Sequence, residues 1–270
     1  MKPKHLSFPY VGWLAVFVVA PIVLVVGYAF TSSDGIITLV NFSRMGSYMP
    51  VFIRSFELAI ISTIVCIIIG YPVAYILSRE GVRLQRIMLM LIMLPMWMNF
   101  LLRTYAWMSI LENTGLLNRL LTGAGLRPLR IINTRAAVVI GMVYNFLPFM
   151  ILPIYSVIVK IDRSLLEAAQ DLGANTVSVF RKVIVPLSLP GVLSGVTMVF
   201  VPAVSTFVIS QLLGGGKEML LGDLVEIQFL GTAYNPHLGS AIALVMMVIV
   251  MVFMYIMNRF GEGEEIAVGM

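Results

Sequence analysis

An all-α membrane protein that crosses the bilayer six times is the fold class this sequence predicts, and three observations predict it. Of its 270 residues 60% are hydrophobic and only 11% charged, whereas a soluble domain carries roughly 25% charged residues. Uncharged stretches of the length needed to cross about 30 Å of hydrocarbon recur along the whole chain. Between two of these stretches lies one short, polar, helix-patterned segment with its own start and stop signals. The mean hydropathy of +0.99 agrees. We read residues 1–270 as a single transmembrane domain containing that polar loop.

The spans follow in order. Val11–Phe30 comes after Lys2 and Lys4 but is too long for a signal-peptide core, so it is expected to be a retained first span. Leu58–Leu77 is the second. Ile87–Leu111, interrupted only by Arg103, is the third, and Ala136–Val159 is the fourth. A long run after Lys182 gives the fifth and Leu238–Asn258 the sixth. Pro21, Pro72, Pro95, Pro148, Pro153 and Pro202 fall within them, where membrane helices tolerate proline and usually kink.

An even number of crossings places both termini on one side. That side, with loops 78–86 and 160–182, holds ten Lys or Arg in 54 residues, against seven in 75 on the other. The denser side is expected to be cytoplasmic. The same rule accounts for the net charge of +5 without nucleic acid. The single cysteine, Cys66, forbids an internal disulfide. The histidines, His5 and His237, are expected on opposite sides, and neither a nucleophile–base pair nor metal-ligand spacing is evident, so the chain is expected to be no enzyme.

The polar loop spans 160–182. Ser164 followed by Glu167 fits a capping box. Leu165, Leu166, Ala168, Ala169 and Leu172 form an apolar stripe, and Gly173 suits a left-handed C-cap. Asn175 can cap a second short helix with Val177, Phe180 and Ile184 on one side, after which Pro186 and Pro190 turn the chain back toward the membrane. Such a helix either docks in a partner's groove or lies in the lipid interface. Periodicity alone leaves both open.

Glu167-Ala168-Ala169, three residues, Gly173, nine residues, then Val183-Ile184-Val185-Pro186 resembles the EAA loop of binding-protein-dependent ABC importer permeases. The family pattern ends in Ile-x-Leu-Pro, and Val stands here at both aliphatic positions. The resemblance implies a type I importer permease whose loop is a coupling helix seated on a separate ATPase. Ser164, Glu167, Ala168, Ala169, Asp171, Gly173 and Pro186 would form that contact. It also implies that ATP and magnesium are bound by the ATPase pair, with no cofactor on this chain. A phosphate-binding loop needs G-x-x-x-x-G-K-[ST]. The nearest stretch, Gly214-Gly215-Gly216-Lys217-Glu218, fails it at Gln211 and Glu218 and is expected to form an external loop or a plain turn.

The segments 99–107, 141–156 and 199–230, with the loop, are similar to the first of the two permeases of spermidine/putrescine importers. That implies a second homologous permease, an extracytoplasmic polyamine-binding protein and surrounding lipid as partners. A polyamine path needs aromatic faces and oxygen acceptors. Trp97, Asn99, Tyr105, Trp107, Tyr144, Asn145, Ser205 and Thr206 offer these within the spans, and Asp223 and Glu226 offer carboxylates at the outer end. Each has a plainer role as interfacial belt, helix glue or solvated acid. Arg103 would repel a cation unless paired. It is expected to bridge to Asp223, Glu226 or the partner permease at an outer gate, or else to snorkel to the interface. Arg119, Arg127, Arg130 and Arg135 crowd one outer loop, which leaves an anion such as sulfate as a rival cargo. A membrane scaffold with an interfacial helix is a rival of another class.

Overall fold

The computed structural model describes residues 8–231 and 233–268, so His5, Lys2 and Lys4 lie outside the described residues. Among the described residues there is no β-strand, only one isolated bridge between Thr31 and Ile37. Five helices are long and apolar enough to cross a membrane: Pro9–Ala29, Val40–Arg79, Arg135–Ile158, Thr176–Ser205 and Pro236–Phe260. Two further apolar helices, Val82–Trp97 and Phe100–Gly123, are bent by 93° at their junction and make a sixth span when counted together as one broken helix. We refer to these, in chain order, as spans one, two, four, five and six, with the bent pair as span three.

The bend corrects the expectation of one continuous helix over Ile87–Leu111. Pro95 has no N–H to donate to the preceding turn, and the first helix stops at Trp97. Asn99 then opens a new helix, its side-chain oxygen accepting from the N–H groups of Leu101 and Leu102 at 2.8 and 3.4 Å. One polar side chain two residues past a weakened turn therefore redirects the chain.

Spans two, four and five pack together as the core. Lipid removes the hydrophobic drive between helices, so close approach has to come from small residues. Span five supplies Gly191 and Gly195: a Cβ at Gly191 would lie 2.9 Å from the Pro153 carbonyl oxygen, and one at Gly195 would lie 2.7 Å from Met150 Sδ. Tyr71 on span two and Ser188 on span five share a hydrogen bond of 2.7 Å across this seam. Cys66 is fully buried within it. Span one stands apart and packs on span six. Its end is tied down by Asn41, which donates to the carbonyls of Ala29 and Thr31, and by Tyr28 edge-on to His237.

Span five ends at Ser205, earlier than its apolar run suggests. The chain then forms a helical hairpin, Val208–Gly214 and Leu221–Leu230, before span six. Its first helix packs on span four and on the second half of span three.

Candidate functional site: a presented helix and a helical hairpin

The polar loop folds as a separate helix, Arg163–Asp171. Its cap is Asp162, whose carboxylate accepts the Ser164 N–H at 3.0 Å, rather than the Ser164–Glu167 box expected. The carboxylate one turn-start earlier is the stronger acceptor for the free donors, and Ser164 becomes an ordinary first-turn residue. The bond to Ser164 holds the Asp162 carboxyl below its usual range.

The other end matches expectation. Gly173 adopts φ +82°, its N–H meets the Gln170 carbonyl at 2.8 Å, and the Ala174 N–H reaches back to the Ala169 carbonyl at 3.1 Å. These two bonds make a Schellman motif. Asn175 then caps the next helix by accepting the Ser178 N–H at 2.8 Å. Val177 does not share the packed side with Phe180 and Ile184. It is exposed, and Val179 is buried in its place, because five residues of π-helix at Phe180–Ile184 rotate the face. Pro186 follows that segment at the start of the α-helical part of span five, where its missing N–H is harmless, and Pro190 continues the same helix instead of ending it.

The helix is presented rather than embedded. Leu172 is 90% exposed, and Leu165, Glu167, Ala168 and Asp171 are exposed too. Leu166 and Ala169 face inward against the spans. Leu166 enters a cleft of about 280 Å³ lined by Ser78, Glu80, Gln85, Ile158 and Ile184. Gln85 braces that cleft: it accepts from the Tyr155 hydroxyl at 2.9 Å and donates to the carbonyls of Ser78 and Glu80. Tyr71 and Tyr75 meet the Phe180 ring edge-on at 5.8 and 5.1 Å, pinning the π-helical segment to span two. A displacement of this helix has a packed route into spans two, three, four and five.

The residues expected along a solute path are scattered. Trp97 is 78% exposed at the end of the first half of span three, Tyr105 is exposed, and Asn99 is occupied as a helix cap. Trp107 and Tyr144 do meet, edge-on at 5.2 Å between ring centres. Asn145 is buried and donates to the Gly141 carbonyl at 2.8 Å. Ser205 donates back to Val201 at 3.1 Å, and Thr206 is buried where span five ends.

Arg103 is 8% exposed, its guanidinium over the Phe100 ring at 5.9 Å. Among the described residues no carboxylate lies within ion-pair distance of it, so the expected bridge to Asp223 or Glu226 does not form within this chain. Nor are those two acids a solvated pair. Asp223 is 4% exposed and accepts the Leu220 N–H at 2.7 Å, and Glu226 is half-buried and takes a hydrogen bond from the Gln211 amide. Asp223 lies outside the five apolar helices, and burial pushes its carboxyl up to about 6.

The sequence reading missed an ion cluster that fastens the hairpin. Glu218 pairs with Arg54 at 3.4 Å and with Arg135 at 3.2 Å, and Arg135 also reaches Glu57 at 3.4 Å. Partners this far apart in sequence leave no local signal. The glycines at 214–216 form a turn pinned on Asn133: Gly215 and Asn133 have φ of +60° and +62°, and the Asn133 N–H donates to the Leu213 carbonyl at 2.8 Å. No group of three or more His, Cys, Asp or Glu among the described residues could hold a metal.

Comparison with known proteins places this arrangement. Residues 67–262 match the family described as binding-protein-dependent transport system inner membrane component. The spermidine/putrescine transport system permease protein PotB of Haemophilus influenzae is 40% identical over 258 residues, covering 92% of this chain and 90% of that protein. PotB of Escherichia coli is 37% identical over 249 residues, covering 88% and 90%. Among solved structures, a bacterial ABC transporter that imports alginate superposes with a TM-score of 0.81 at 15% identity, over 96% of this chain and 94% of that one. The MetNI methionine ABC transporter gives 0.60 at 19% identity, over 80% and 94%. These two show the shared fold. The chain belongs to the family of binding-protein-dependent transport system inner membrane components, the multi-pass permease subunits of ABC importers.

Proposed function

We propose that this chain is one of two permeases in an ATP-driven polyamine importer, with both termini and the Arg163–Asp171 helix in the cytoplasm. The observation that carries the cargo is the 40% identity to a spermidine/putrescine permease over nine-tenths of both chains. The Arg163–Asp171 helix seats in a groove of a separate ATPase through Glu167, Ala168, Ala169 and Asp171, the ATPase supplying ATP and magnesium. Exposure of Glu167, Ala168 and Asp171, together with Leu166 and Ala169 packed against the spans, supports this reading. A second, homologous permease completes the pathway and provides the acceptor that Arg103 lacks, and a polyamine-binding protein delivers solute to the hairpin side. Of the four outer-loop arginines, Arg135 is engaged by Glu57 and Glu218, which weakens the case for an anion as cargo.

The test is uptake by the purified assembly in proteoliposomes, with labelled spermidine and labelled sulfate. ATP-dependent accumulation of spermidine alone is expected. Accumulation of sulfate alone would remove the polyamine reading, and purification without any ATPase would return the scaffold reading.

A further inference from the structure

The helical hairpin encloses a small cavity of about 80 Å³, lined by Ser210, Gln211, Gly216, Glu218 and Asp223. The acids around it have different obligations. Glu218 is taken by two guanidinium groups, from Arg54 and Arg135. Glu226, next to the cavity, is held by the Gln211 amide. Asp223 is different. One oxygen accepts the Leu220 N–H, which fixes the carboxyl, while the other is buried and has no hydrogen-bond partner. The Ser210 hydroxyl donates to the Phe207 carbonyl at 2.8 Å, and with Gln211 it stands near the carboxyl and favours its charged form without closing a hydrogen bond to that oxygen. Among the described residues no Lys, Arg or His forms an ion pair with Asp223. Closing off the first turn of Leu221–Leu230 needs only one oxygen. The second oxygen is buried in a polar pocket with no closed hydrogen bond of its own, a state that is costly for a carboxyl unless a further donor is supplied.

We propose that this cavity is a binding site for a primary ammonium group, with the free oxygen of Asp223 as its principal acceptor. An –NH₃⁺ head carries three donors and one charge. Ser210 and Gln211 line the same wall, where the Ser210 oxygen is placed to take a further N–H bond, and the volume admits the head with its first methylene while rejecting a quaternary amine. Beyond the carboxyl itself, the charged and titratable groups around the site are Glu218, Glu226, Arg54 and Arg135. The two guanidinium groups are aimed at Glu218, and Lys217 lies between the lining residues Gly216 and Glu218 in the chain. Burial already biases Asp223 toward its protonated form, so proton and ammonium compete for one oxygen. The physiological source of the ammonium, one end of the transported solute, rests on the polyamine reading, but the site itself does not.

The experiment follows the protonated-carboxyl stretch of Asp223 by infrared difference spectroscopy, on the full chain in lipid nanodiscs near pH 6. Methylammonium is the probe, and tetramethylammonium, equally charged but without N–H donors, is the control. Methylammonium is expected to erase the band and lower its titration midpoint by about one pH unit or more. Tetramethylammonium should do neither, and Asp223→Asn should lack the band. If methylammonium leaves the midpoint unmoved, or if both amines move it equally, the cavity holds only a proton and the proposal is overturned. The wild-type contrast between the two amines stands even if the variant fails to fold. Failure of ATP-driven spermidine uptake would sink the cargo reading while leaving this result intact.

Discussion

Replacing Gly173 by valine isolates the backbone geometry that ends the presented helix. A Cβ at this position would meet nothing within 4 Å, so added volume is not the issue. The residue sits at φ +82°, where an L side chain crowds its own backbone at a cost of about 1–2 kcal/mol, more for a β-branched residue. The Schellman bonds from Gly173 and Ala174 to the Gln170 and Ala169 carbonyls depend on that angle. Ala169 is one of the residues proposed to meet the ATPase, so losing the motif misaligns the contact itself. A penalty of that size, expressed in docking, corresponds to a roughly 5–30-fold weaker association. The assay is titration of the ATPase subunit onto the permease in nanodiscs, with Gly173→Asn and Gly173→Ala beside Gly173→Val. Asparagine tolerates the left-handed region best, so the expected order of affinity is Gly, Asn, Ala, Val. If valine docks as tightly as glycine, the geometry of this loop does not govern ATPase association.

Other outcomes follow from the same structure. Asp162→Ala should fray the presented helix and weaken docking, whereas Ser164→Ala should leave the cap intact. Because the Asp162 carboxyl is held below its usual range, the cap should survive above the ordinary aspartate range and fail as pH falls through the lowered value. Helix content of the loop against pH checks this. Gly222→Ala should lower the thermal stability of the full chain, since its Cβ would collide with the Ser205 carbonyl oxygen and displace the hairpin. Glu218→Gln should weaken both pairs of the ion cluster, the Arg135 pair by no more than about 1 kcal/mol because Arg135 is more than half exposed to screening solvent. High salt should reduce its effect on melting temperature by removing the Arg135 part, leaving the more shielded Arg54 part. Tyr71→Phe should cost about 1 kcal/mol by leaving Ser188 without its cross-span partner.

What could be read from the sequence was whatever is encoded locally. Gly173 and Asn175 announced their conformations because left-handed turns and helix starts select residue types within a few positions. The apolar runs announced five helices for the same reason. The bend at Met98–Asn99 was hidden because every residue around it is compatible with a continuous span. In retrospect Pro95 followed by a capping Asn four residues later is the signal. The cap at Asp162 was missed for a competing motif two residues downstream. The hairpin's fastening to Arg54 and Arg135 and the burial of Asp223 depend on contacts between distant segments, which no local pattern carries. Of the path residues, the sequence shows the aromatic and polar types but not their neighbours: Trp107 and Tyr144 meet edge-on, while Trp97 and Tyr105 are exposed.

The chain's own cysteine makes the decisive measurement clean. Cys66 is fully buried, so an Ala168→Cys substitution places one reactive thiol on the exposed face of the Arg163–Asp171 helix. A short bifunctional crosslinker applied to native membranes is expected to join that thiol to a nucleotide-hydrolysing subunit, with a yield that changes when ATP is added. Adducts formed with lipid alone, whatever the nucleotide, would contradict the claim that this helix transmits the work of a separate ATPase.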